Sequence, residues 1–121
     1  MHATFDADML GLLRTTEEVG IRTSRHPDRA TIIWIVVVDD VVFVRSFRGP
    51  KGQWHVAATA DGQATLDIGD RQIAVRVTAV TNPDSIAAVS RAFLAKYAAS
   101  PYAKEMVRAE ILSTTLRLDP M

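Results

Sequence analysis

Along the chain, apolar positions recur first at helical and then at strand spacing. Phe5, Met9, Leu12 and Leu13 fall at i, i+4, i+7 and i+8, which predicts a short amphipathic helix. From Glu17 to Ser24 the pattern changes to alternation, with Val19, Ile21 and Thr23 on one face and Glu18, Gly20, Arg22 and Ser24 on the other. A polar turn is expected at Arg25–Arg29. The run Ile32–Val38 is apolar on both faces and β-branched, the pattern of a central strand, and it places Trp34 in the core. Asp39-Asp40 sits where a two-residue hairpin would turn, and Val41–Phe47 reads as the returning strand.

Further on, Trp54–Ala60 predicts one or two helical turns closed by Asp61-Gly62. Ala64, Leu66 and Ile68 alternate up to a Gly69-Asp70 turn, and Ile73, Val75, Val77 and Ala79 alternate after it. Asn82-Pro83 is an N-cap with proline at the first helical position. The helix it opens carries Ile86, Val89, Phe93, Leu94 and Tyr97 on one stripe. Ser100-Pro101 ends that helix, Tyr102–Arg108 has room for another turn or two, and Leu112, Thr114, Leu116 and Leu118 alternate as a last strand. Hairpins in succession imply antiparallel pairing, so the expected fold is α+β: a six-stranded antiparallel β-barrel with flanking helices, one domain over residues 1–121.

Composition narrows the chemistry. Lys plus Arg and Asp plus Glu are 14 each, so charge gives no reason to expect nucleic acid or an anionic membrane as partner. The longest apolar run is too short to span a bilayer, and no secretory signal opens the chain. There is no cysteine, which removes disulfides and thiol chemistry and agrees with a cytoplasmic setting. His2, His26 and His55 have no ligand-spaced partners, so no metal site is expected. No Ser–His–Asp arrangement stands out either.

The stretch Arg45-Ser46-Phe47-Arg48-Gly49-Pro50-Lys51-Gly52-Gln53-Trp54 is the most suggestive. Three cations and a hydroxyl lie within seven positions, two glycines let the backbone approach an oxygen-rich ligand, and Trp54 adds a flat surface. Strand alternation puts Arg45 and Phe47 on one face and Ser46 and Arg48 on the other, so the whole run cannot grip one ligand. Arg22-Thr23-Ser24, with Arg25 behind it, is a second candidate anion group. On the residues alone, solvated turns and a core tryptophan are the better account of both stretches.

The order from Gly20 to Val77 resembles the split β-barrel flavin-binding proteins, the broad group of pyridoxamine phosphate oxidases and deazaflavin-dependent nitroreductases. It is more closely similar to small uncharacterised bacterial proteins placed in that group. The likeness rests on a strand ending Arg22-Thr23-Ser24, an apolar strand with Trp34, a strand ending Arg45-Ser46, then Gly49, Gly52, Trp54, Ala60-Asp61-Gly62 and Gly69-Asp70. It implies a homodimer with FMN or a deazaflavin between subunits. It further implies that Arg22, Thr23, Ser24, Arg45, Ser46 and Lys51 hold the phosphate, with Trp54 beside the cleft. Active members of the group move a hydride between flavin and a small organic substrate, the ring doing most of the chemistry. The alternative is a non-enzymatic homodimer that binds another anionic small molecule or nothing. Two positions depart from the group: His55-Val56 stands where many members have Asn-Leu, and Arg25 follows Ser24 where glycine is common.

Overall fold

The structure, a computed structural model, describes residues 4–121; the expected position of His2 lies outside them. Helix α1 (Ala7–Thr15) is capped by Asp6, whose carboxylate accepts from the Met9 amide at 2.8 Å. Strands β1 (Glu18–Thr23) and β2 (His26–Trp34) follow, then β3 (Val36–Val38) and β4 (Val41–Val44). Helix α2 (Gln53–Asp61) precedes β5 (Gln63–Ile68) and β6 (Arg71–Ala79). Helix α3 (Pro83–Lys96) leads through two 3-10 turns, Ala103–Val107 and Ala109–Thr114, into β7 (Leu116–Pro120).

Local chemistry explains the turns. Asp39 and Asp40 both hold positive φ, 50° and 62°, as a tight two-residue hairpin requires. Gly62 ends α2 in the left-handed conformation at φ 68°, where a side chain would be strained. Asn82 accepts from the amides of Asp84 and Ser85 and starts α3 with Pro83 in its first turn.

All seven strands form one antiparallel sheet in the order β2-β1-β5-β6-β7-β4-β3. Seven strands replace the expected six because Ile32–Val38 is not one central strand. It breaks at Ile35 into β2 and β3, which are the two opposite edges of the sheet. A single residue therefore carries the chain from one edge to the other, and the sheet must curl into an open barrel to allow it.

Apolarity on both faces has another source. One face of this segment meets the barrel interior, with Ile33, Ile35, Val42 and Val44 among residues from α1, α2 and the strands. The other face is covered by α3: Val36 and Phe43 pack with Val89, Phe93, Tyr97 and Ile111 in a second core. An edge strand under a helix carries the same pattern as a central one.

Other expectations shift for related reasons. Trp34 is half-buried rather than a core residue, because it points outward from β2. His26–Arg29 belongs to β2, the turn being tighter at Ser24-Arg25. Leu94 is exposed, and the last strand begins only at Leu116, after the 3-10 turn.

Candidate functional site

Strand β4 ends at Val44, and the next two residues, Arg45 and Ser46, are buried. Arg45 is 1% exposed. Its Nε donates to Thr115 Oγ1 at 2.8 Å, Nη1 to Ser90 Oγ and the Met106 carbonyl at 2.9 Å each, and Nη2 to the Ile86 carbonyl at 2.9 Å. Its guanidinium also lies 5.6 Å from the Phe93 ring centre. Among the described residues it forms no ion pair with a carboxylate. Burial lowers its pKa to about 10, still well above neutrality, so a positive charge sits in the interior with no carboxylate of the described residues paired to it.

That charge contributes to the wall of a cavity of about 570 Å³. The rest of the wall is Glu18, Thr31, Ile32, Ile33, Trp34, Phe47, Arg48, Tyr102 and Met106. Three of the largest exposed apolar side chains, Ile32, Phe47 and Tyr102, therefore converge on one concavity. Trp34 is held flat against Tyr97, ring centres 3.9 Å apart and planes within 1°. Phe47 is fixed by Arg108, which lies 5.0 Å over its ring and donates to its carbonyl. Arg48 is the exposed cation of the wall.

Arg22, Thr23 and Ser24 line a different cavity, of about 450 Å³, with Asp61, Gln63, Thr65 and Gln72. There Arg22 pairs with Asp67 at 2.7 Å and Ser24 donates to Asp61 at 2.5 Å. Within one copy of the chain the two candidate groups do not meet.

The remaining candidates are scattered. Ser46 is fully buried; its amide donates to Thr114 Oγ1 at 3.0 Å, while its hydroxyl has no partner among the described residues. A Cβ added to Gly52 would come within 2.5 Å of that hydroxyl, so glycine there is set by the Ser46 side chain. Trp54 lies in the main core and Lys51 is exposed on the 3-10 turn Gly49–Lys51. His55 is buried, and burial lowers its pKa below the ordinary value, partly offset by hydrogen bonds to the Thr114 and Pro50 backbone. No cluster of three or more potential ligands for a metal ion occurs among the described residues.

Tyr102 and Met106 escaped sequence reasoning, since a short stretch after a helix break carries no periodic signal. The exposure of Ile32 was equally hidden within an apolar run.

The curled antiparallel sheet thus carries an aromatic-walled cavity with a buried cation behind it. Residues 9–118 match the family described as an uncharacterized protein conserved in bacteria (DUF2255), and the chain belongs to that family. Solved structures share the fold. The conserved hypothetical protein Rv2991 from Mycobacterium tuberculosis superposes with a TM-score of 0.64 at 14% identity, covering 99% of this chain and 81% of that one. The heme storage protein HutZ from Vibrio cholerae gives 0.61 at 7% identity, covering 98% and 91%. A heme binding protein from Mycobacterium smegmatis gives 0.57 at 13% identity, covering 96% of this chain and 52% of the other. No curated protein matches the sequence. Among the described residues, no helix is long and apolar enough to cross a membrane.

Proposed function

We propose that this protein binds a planar small molecule bearing an anionic group, FMN or a deazaflavin being the first candidates, in the 570 Å³ cavity. The observation that carries the reading is Arg45. A buried charge without a carboxylate partner is costly, and an anionic ligand supplies the missing counter-charge. Because Arg45 is closed off by its own hydrogen bonds, it acts through its field, and direct contact falls to Arg48 at the rim. Trp34, Phe47 and Tyr102 suit a flat ring, and the volume is in the usual range for ligand sites.

The residues fit a flavin in this sense: aromatic walls for the ring and cations for the tail. A bound flavin would supply hydride chemistry itself, while this chain would bind and orient it. In the homodimer that the split-barrel resemblance implies, the ligand lies between copies. The Arg22–Thr23–Ser24 cavity of one copy is then the proposed complement of the Arg45–Arg48 cavity of the other, with Lys51 near the tail. A cytoplasmic site agrees with the cysteine-free chain.

Haem, bound by two proteins of the same fold, is the second reading. Haem iron takes His, Cys, Met or Tyr, and the cavity wall offers Met106 and Tyr102 but no histidine. Tyr102 and Met106 are the donors that a haem would use there.

The test is titration of purified protein with FMN, oxidised and reduced deazaflavin, and haem, followed by Trp34 quenching and visible absorbance. Binding of a flavin in the micromolar range, weakened about tenfold by Arg48→Ala, supports the proposal. No binding by any of them up to high micromolar concentration, or equal affinity in the variant, rejects it. Sedimentation of the free and loaded protein reads the dimer.

A further inference from the structure

Four consecutive residues of β2, Thr31, Ile32, Ile33 and Trp34, line the cavity of about 570 Å³. Neighbouring side chains of a strand point to opposite faces, so a cavity on one face of β2 would meet only every second residue. A cavity that meets all four lies along the edge of the strand. That edge is free, because the break at Ile35 leaves β2 as the end strand, paired with β1 alone. The register here is regular, from Glu18↔Trp34 to Ile21↔Thr31, so the ladder to β1 uses the N–H and C=O of every second residue. The alternate residues direct both groups away from β1. Among the described residues no loop or side chain bonds them; Arg22 reaches the β2 backbone only at Pro27, outside the cavity. Arg48 and the rings of Phe47 and Tyr102 stand elsewhere in the wall. The cavity is thus a slot with an unpaired strand edge on one side.

We infer that the free edge of β2 is the reading element of this cavity, and that it selects ring ligands carrying a hydrogen-bond donor and acceptor side by side, as a cyclic imide does. The inference rests on the flavin reading and deepens it. An outward residue of an edge strand offers one N–H and one C=O to the same side, the pair that a partner strand would fill. The pyrimidine ring of a flavin or deazaflavin carries an N–H between two carbonyls and fills that pair in the partner's place. Haem has no such edge, since its ring nitrogens turn inward to the iron. Glu18, opposite Trp34 in the ladder, is the carboxylate of the wall, so an anionic tail is turned from it toward Arg48.

Selectivity follows from desolvation. A ligand that seals the edge without bonding it strips water from the strand's polar groups and gives nothing back, so a ring lacking the N–H binds worse. Backbone groups do this reading, which is why no side-chain motif marks it in the sequence.

The experiment compares FMN with its N3-methyl derivative, which keeps ring, charge and tail but has no N–H at the edge. Purified protein is titrated with each, and amide exchange is followed free and at equal occupancy. In the free protein, every second amide of Thr31–Trp34 should exchange rapidly. FMN should protect those same amides. The methylated ligand should bind at least about tenfold more weakly and protect them less. The alternation separates this from a merely tight cavity, where a crowded methyl group weakens binding without placing a bond on every second amide. Equal affinity for the two ligands, or FMN binding with no new protection in β2, overturns the inference and leaves the flavin reading standing. Slow exchange at all four amides in the free protein also overturns it. Binding of neither ligand rejects both readings.

Discussion

Replacing Tyr97 with Phe removes one oxygen and leaves the ring. That oxygen accepts the Ile35 amide at 3.1 Å, and its single proton is shared between the carbonyls of Glu17 at 2.5 Å and Ile35 at 3.1 Å. Ile35 is wholly buried at the crossing between β2 and β3, so its amide has no water to turn to. A buried N–H left without an acceptor costs about 1–3 kcal/mol. Carbonyl losses are softened, since Lys96 still donates to Ile35. The stack on Trp34 and the contact with Phe93 persist, so no cavity contribution arises. The net expectation is a loss of about 2 kcal/mol, or a fall in Tm of roughly 6–12 °C for a chain of this size. Urea unfolding followed by tryptophan fluorescence measures the first quantity. Amide exchange at Ile35 supplies a local check, because its protection should drop more than that of the β5–β6 hairpin. A change below about 0.5 kcal/mol with Ile35 still protected would refute the claim that this hydroxyl holds the crossing together.

Other expectations are simpler. Trp34→Ala should cost about 1–2 kcal/mol, less than a core tryptophan, and should weaken flavin binding, as unfolding and titration would show. Gly52→Ala should destabilise by about 1–3 kcal/mol through collision with Ser46, whereas Gly11→Ala, with open space around it, should not; thermal melts of the two decide. The folded pKa of His55 is lowered, so below pH 6.5 the unfolded chain takes up a proton that the folded one resists. Stability should therefore fall on acidification, and less so in His55→Gln, measured by melts between pH 5 and 7. For Lys96, lowered to about 8, the unfolded state holds the extra proton between about 8 and 10.5. Stability should rise with pH across that window, and this rise should be missing in Lys96→Gln.

Much of the fold could be read from residues acting locally. Asp39-Asp40, Asp61-Gly62, Gly69-Asp70 and Asn82-Pro83 set their turns and caps through their own backbone preferences, which do not depend on the rest of the chain. The misreading of Ile32–Val38 has a different origin. Alternation reports how many faces are covered, not what covers them, and α3 hides an edge as completely as a neighbouring strand would. The candidate site was legible in part. Arg45 and Arg48 were visible as cations, but the depth of Arg45 depends on Ser90, Met106 and Thr115, distant in sequence. The Glu17–Lys96–Tyr97 group was invisible for the same reason, its partners lying 80 positions apart.

The crossing at Ile35 also bears on the order of folding. Its amide and carbonyl find their partners 62 and 61 residues further along, on the end of α3. Until that helix arrives, the polar groups of Ile35 can be satisfied only by water, which keeps the residue out of the interior. The hairpins β1–β2, β3–β4 and β5–β6 each close over short loops and can form early. Barrel closure cannot, because it waits for the C-terminal third of the chain. During synthesis β6 and β4 therefore stay apart until β7, which pairs with both, has followed α3 out of the ribosome, and the nascent protein passes through an open, unclosed stage.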